Sequence, residues 1–97
     1  MTHFNQKELL QNLGLSDREV IIYIALLNRG PLLPQSIARE TGIKRTTLYV
    51  IFPEMIKKGL ILEVSQGKRR LLQAVSPDKL FDNYEKKYRE LKIYRKI

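Results

Sequence analysis

Two short stretches of this 97-residue chain gather side chains suited to chemistry with an anion. Lys68, Arg69 and Arg70 are consecutive and follow Gln66-Gly67, a turn signal between the strand-like stretches Leu60-Ile61-Leu62-Glu63-Val64 and Leu71-Leu72-Gln73-Ala74-Val75. Three cations at a hairpin tip suit phosphate oxygens, and equally protect a sheet edge from pairing with other chains; taken alone, the pattern supports both. The second stretch is Lys44-Arg45-Thr46-Thr47, a guanidinium and two hydroxyls within one turn of an expected helix. Side chains for covalent or metal chemistry are scarce. There is no cysteine and one histidine, His3, which excludes a disulfide framework, a thiolate nucleophile, a thiolate zinc site and a histidine cluster. No phosphate-loop motif or convergent acid-base pair is present, so neither an enzyme nor a cofactor or metal site is expected.

Eighteen Lys and Arg against ten Asp and Glu give a net charge of +8, which suits a polyanion such as nucleic acid or an anionic membrane surface. The excess is spread unevenly. Residues 1 to 64 hold eight basic and six acidic side chains, residues 65 to 75 three and none, and residues 76 to 97 seven and four, so the hairpin region is densest in charge. At 43% apolar and 29% charged the chain has the balance of a folded globular domain, and its length fits one small domain. The longest apolar run, Val20 to Leu27, is far below the roughly 20 residues of a membrane span, and the first fifteen residues lack a secretory signal pattern. A cytoplasmic location is expected.

Five helices and one hairpin must position the two cationic stretches. Asn5 followed by Glu8 caps a short first helix ending at Gly14. Ser16 and Glu19 have the spacing of a capping box and open a second helix, which overrides the strand propensity of Val20-Ile21-Ile22 and stops at Asn28-Arg29-Gly30-Pro31. Pro34 suits the first turn of a third helix ending at Glu40 or Thr41 before Gly42. A fourth helix from about Lys44 to Lys58 places Leu48, Phe52 and Met55 on one face and Arg45, Thr46, Thr47 and Glu54 on the other, with Tyr49 read as a core aromatic. Pro53 inside it costs about 3 kcal/mol if uncompensated and predicts a kink. In the hairpin, Leu60, Leu62 and Val64 are expected to face inward. Ser76-Pro77-Asp78 opens a last helix running to the C-terminus.

Ala38, Gly42 and Leu48 have the separations of a helix-turn-helix: a small residue at a close crossing, a glycine at a positive φ and an apolar lock. Leu13-Gly14-Leu15-Ser16, Tyr23-Ile24-Ala25-Leu26-Leu27, Gly30-Pro31, Ile37-Ala38, Thr41-Gly42-Ile43, Arg45, Leu48-Tyr49, Lys58-Gly59-Leu60-Ile61 and Ala74-Val75-Ser76-Pro77 resemble the N-terminal winged-helix domain of TrmB-type transcriptional regulators. The resemblance covers about Leu9 to Phe81. It implies a mainly α fold with a small β-hairpin, a winged helix-turn-helix plus C-terminal helix, with dimerisation and binding to promoter DNA. The helix at 44–58 would be the recognition helix and residues 65–70 the wing. Arg69 and Leu72 stand where many members have proline and an aromatic, and Pro53 where an ordinary helix former is usual. The resemblance does not reach the sugar-binding C-terminal domain of many such regulators, so no small-molecule effector is implied for these residues.

A recognition helix fits the roughly 12 Å major groove, where Arg45 suits guanine O6 and N7, and Thr46 or Thr47 a thymine methyl or a phosphate. Lys44 precedes them at the helix start. Gln35 and Ser36, near the start of the preceding helix, suit a phosphate oxygen, and Lys68, Arg69 and Arg70 suit the backbone or minor groove. Residues 1–75 are thus expected to form the DNA-binding domain and 76–97 an amphipathic helix. On that helix Phe81, Tyr84, Tyr88 and Leu91 recur at spacings of three, four and three, an apolar stripe expected to lie in a homodimer seam. Asp82, Glu85 and Glu90 along the same helix argue against a membrane surface as its partner. The competing expectation is a winged-helix module for protein-protein interaction, favoured by Val50 and Ile56 on the recognition helix.

Overall fold

A computed structural model describes residues 6–95. The order of elements is α1 (Gln6–Asn12), α2 (Asp17–Arg29), α3 (Pro34–Thr41), α4 (Arg45–Lys57), β1 (Ile61–Gln66), β2 (Arg69–Ala74) and α5 (Pro77–Arg95). The expected cap Asn5 lies outside the described residues.

Local capping decides the helix starts. Ser16 Oγ accepts the Glu19 N–H at 3.3 Å while Glu19 Oε1 accepts the Ser16 N–H at 2.8 Å, so the β-branched run that follows is helical. Its Val20, Ile22, Tyr23 and Leu26 are buried, leaving Ile21 and Leu27 exposed. The Gly30 N–H closes the helix on the Leu26 carbonyl. In α3, Pro34 occupies the first turn, and Gly42 ends the helix with φ 75°. This left-handed conformation is strained for a residue with a Cβ, which is why glycine stands here. Thr41 Oγ1 donates to the Ile37 carbonyl at 2.7 Å and accepts the Ile43 N–H at 3.2 Å, fixing the turn into α4. Arg29 and Glu40, 3.4 Å apart, join the ends of α2 and α3.

The core lies where α2, α3 and α4 meet the inner face of the hairpin. Ile37, Leu48, Phe52, Met55, Leu60, Ile61 and Leu72 are buried in it, with Leu10 and Leu80 closing it from α1 and α5. Each large side chain so removed from water contributes roughly 1.5 to 3 kcal/mol. Tyr23 places its hydroxyl inside this core and donates to the Val75 carbonyl at 2.7 Å, tying α2 to the exit of the hairpin. Burial pushes the Tyr23 hydroxyl above its usual pKa.

α4 continues through Pro53 to Lys57. Pro53 and Tyr49 are exposed, so the carbonyl that loses its N–H partner is on the solvent side, where water substitutes.

β1 and β2 pair antiparallel, Ile61 opposite Ala74 and Gln66 opposite Arg69. The inward face differs from the sequence expectation. Leu60 is buried, but ahead of the strand, its N–H bonded to Met55 and its carbonyl accepting from Val75. The strand alternation therefore starts with Ile61 and Ala74 inside, leaving Leu62 exposed and Val64 half-buried beside Leu71. A further bridge was not expected: Leu32, between α2 and α3, exchanges two backbone hydrogen bonds with Leu72 at 3.0 and 2.8 Å, fastening the helix-turn-helix to β2.

Candidate nucleic-acid interface

α4 is oriented by its buried stripe. With Leu48, Phe52 and Met55 turned to the core, Lys44, Arg45 and Thr46 are exposed and Thr47 is half-buried. A helix advances about 100° per residue, so three successive residues after the cap cannot all share the apolar side.

The two helices that carry candidate residues start differently from α2. α2 has a reciprocal cap and two acids, Asp17 and Glu19, in its first turn. α3 and α4 have no acid in the first turn, and neither cap residue, Leu33 or Lys44, gives a side-chain hydrogen bond. In α4 the first turn instead begins with two cations, the sign that the helix dipole disfavours at an N-terminus. Unpaired backbone N–H groups and positive side chains at one place form an arrangement that a phosphate or other anion relieves. Gln35 is exposed and Ser36 half-buried at the start of α3.

Lys68, Arg69 and Arg70 are exposed at the hairpin tip, with Gly67 at φ 64° making the tight turn. The six-residue strands carry them roughly 20 Å from the base of the hairpin.

Tyr49 departs from its sequence assignment. It is 51% exposed, not in the core, and its hydroxyl accepts a hydrogen bond from Arg45 Nη2 at 3.0 Å. The Arg45 guanidinium lies 5.8 Å from the ring centroid. The detectable signal was the separation of four residues, which brings side chains together on a helix surface.

Behind the surface, Lys58 Nζ is 3.0 Å from both carboxylate oxygens of Glu19, pinning the end of α4 to the start of α2. Burial pushes the Glu19 carboxyl upward. The Ser16 N–H and the Lys58 ammonium outweigh it and hold the pKa below the ordinary value. Among the described residues no group of three His, Cys, Asp or Glu side chains could hold a metal, and no helix is long and apolar enough to cross a membrane.

The family model described as "Sugar-specific transcriptional regulator TrmB" matches residues 10–78. This chain belongs to the TrmB family. It is therefore a member of a winged-helix, DNA-binding family of transcriptional regulators, not of an enzyme family. It is 32% identical over 69 residues to the HTH-type sugar sensing transcriptional regulator TrmBL1 of Pyrococcus furiosus, covering 71% of this chain and 20% of that protein. It is 28% identical over 86 residues to the uncharacterized protein YrhO of Bacillus subtilis, covering 89% of this chain and 31% of that one. The chain thus spans a third or less of these relatives' length. Among solved structures, TrmBL2, described as an archaeal chromatin protein, superposes with a TM-score of 0.80 at 24% identity, over 93% of this chain and 35% of its own. A MarR family protein from Bacillus stearothermophilus superposes with a TM-score of 0.65 at 13% identity, over 89% of this chain and 65% of its own. At these identities the likeness is one of fold.

Proposed function

We propose that this TrmB-family chain is a sequence-specific double-stranded DNA-binding transcriptional regulator that acts as a homodimer. α4 enters the major groove, with Arg45 on a guanine edge and Thr46 and Thr47 on a thymine methyl or a phosphate. Lys44, Gln35 and Ser36 bind backbone phosphates, and Lys68, Arg69 and Arg70 follow the backbone or minor groove. The observation that carries this reading is the exposed Lys44-Arg45-Thr46 run at a helix start that lacks both a side-chain cap and acidic residues. With about 4 to 6 phosphates neutralised per subunit, affinity falls steeply with salt, at a slope of about −0.9 per contact.

Dimerisation is assigned to α5. Phe81, Tyr84, Tyr88 and Leu91 are all exposed along one side of it, an apolar stripe that a second copy of the helix would bury. Two recognition helices one DNA turn apart, about 34 Å, read a palindrome.

The deciding experiment selects bound sequences from a randomised duplex pool and repeats the binding with Arg45→Ala. Loss of preference at one base position per half-site is the expected result; uniform weakening would reduce Arg45 to a phosphate contact. A protein-interaction module is the second reading, favoured by Val50, 72% exposed on α4, with Ile56 also exposed. Absence of salt-dependent binding to random duplex DNA would decide for it.

A further inference from the structure

Arg45 and Tyr49 stand one turn apart on the exposed side of α4, joined by the 3.0 Å hydrogen bond from Arg45 Nη2 to the tyrosine hydroxyl. The tyrosine is itself held. Its ring meets Phe52 edge-on, with centroids 6.2 Å apart and planes at 89°, and Phe52 is buried in the core. Restraint therefore runs outward from the core through Phe52 and Tyr49 to the guanidinium. A free arginine side chain carries about 2 kcal/mol of rotamer entropy, much of which is lost when it docks on a base. A guanidinium already held by a hydroxyl and set near an aromatic face loses less.

The donor inventory permits this arrangement during base reading. Of the five guanidinium N–H groups one is committed to Tyr49, and four remain, more than the two needed for a fork on guanine O6 and N7. The tyrosine hydroxyl accepts from Arg45 and keeps its own proton to donate.

We infer that Tyr49 is a positioning residue for base reading: its hydroxyl fixes the Arg45 guanidinium, so that preference for guanine at one position, rather than affinity for DNA in general, depends on that hydroxyl. The inference rests on the assignment of α4 as the major-groove helix. It adds to that assignment a residue outside the expected Lys44 to Thr47 contact set.

Tyr49→Phe isolates the hydroxyl, because it keeps the ring, its edge contact with Phe52 and the aromatic face beside Arg45. Wild type, Tyr49→Phe, Arg45→Ala and the double variant are each used to select from a randomised duplex pool, and affinities are then measured on the selected and on unselected duplexes across a salt series. In Tyr49→Phe the preference for guanine at the Arg45 position falls roughly threefold to tenfold, the range one solvent-accessible hydrogen bond supports. Affinity for unselected duplex and the salt slope stay at wild-type values, because the number of phosphates neutralised is unchanged. In Arg45→Ala the preference is absent, and adding Tyr49→Phe changes it no further. Each preference is a ratio of two sequences on one variant, so a change in stability does not move it. Full retention of the preference in Tyr49→Phe overturns the inference. So does equal weakening on every sequence, which would assign the hydroxyl to a phosphate. Absence of any preference in the wild type overturns the assignment of α4 itself, and the role of Tyr49 with it.

Discussion

Replacing Lys58 and replacing Glu19 should destabilise the protein unequally, although the two side chains form one ion pair. Lys58→Met leaves a carboxylate on a side chain that is 5% exposed, with the backbone and side chain of Ser16 as remaining partners. Stranding one charge of a fully buried pair costs about 3 to 5 kcal/mol. The Lys58 side chain is 45% exposed, so water already screens the pair and enters readily when the lysine is gone, which reduces the cost to about 2 kcal/mol. Glu19→Gln keeps an acceptor for the Ser16 N–H and lets the ammonium turn into solvent, at about 1 kcal/mol. For a chain of this length each kcal/mol lowers the melting temperature by roughly 4 to 8 °C, so the expected losses at neutral pH are about 12 °C for Lys58→Met and about 6 °C for Glu19→Gln. The Glu19 carboxyl has a folded-state pKa below its ordinary value of 4.5. Its contribution is accordingly complete above the unfolded-state pKa and lost as pH falls through the lower folded-state one. Protonation removes the charge that Lys58→Met strands, so the gap between the variants should close on acidification. Thermal and urea unfolding of wild type and both variants, at neutral pH and stepwise down through the carboxylate range, test this. A Glu19→Gln protein as destabilised as Lys58→Met at neutral pH, or a gap independent of pH, would refute the reasoning.

Two further outcomes are expected. Replacing Lys68, Arg69 and Arg70 together by alanine should weaken binding to all duplexes alike and flatten the salt slope by about 0.9 for each phosphate that is no longer neutralised; a change of base preference with an unaltered slope, measured by titration across a salt series, would contradict a backbone role. Tyr84→Asp and Leu91→Asp should convert a dimer into a monomer in sedimentation at micromolar concentration, with each folded domain intact by circular dichroism; a wild-type chain that sediments as a monomer would remove α5 from the assembly.

Much of the architecture was legible in local signals. Ser16 and Glu19 announce the start of α2, Pro34 that of α3 and Ser76-Pro77 that of α5, because a cap acts within three or four residues of itself. Gly42 and the apolar positions Leu48, Phe52 and Met55 likewise fix the turn and the buried side of α4, which in turn exposes Arg45 and Thr46. Composition supplied the cationic balance and the absence of cysteine.

Tertiary structure decided what depends on residues far apart in the chain. The inward phase of β1 follows from Leu60 being held by Met55 and Val75 ahead of the strand, which turns Leu62 outward against the simple alternation. The Leu32–Leu72 bridge, the Tyr23 bond to Val75 and the Glu19–Lys58 pair join residues separated by dozens of positions, and no local pattern encodes which will meet. Tyr49 fell between the two levels: its separation of four residues from Arg45 is a local signal, but it flanks the stripe made by Leu48 and Phe52, and only the packed position of α4 left the pair on the surface. Short-range backbone and side-chain hydrogen bonds are written residue by residue, whereas the pairing of surfaces is chosen by how the whole set of elements buries its apolar area at once.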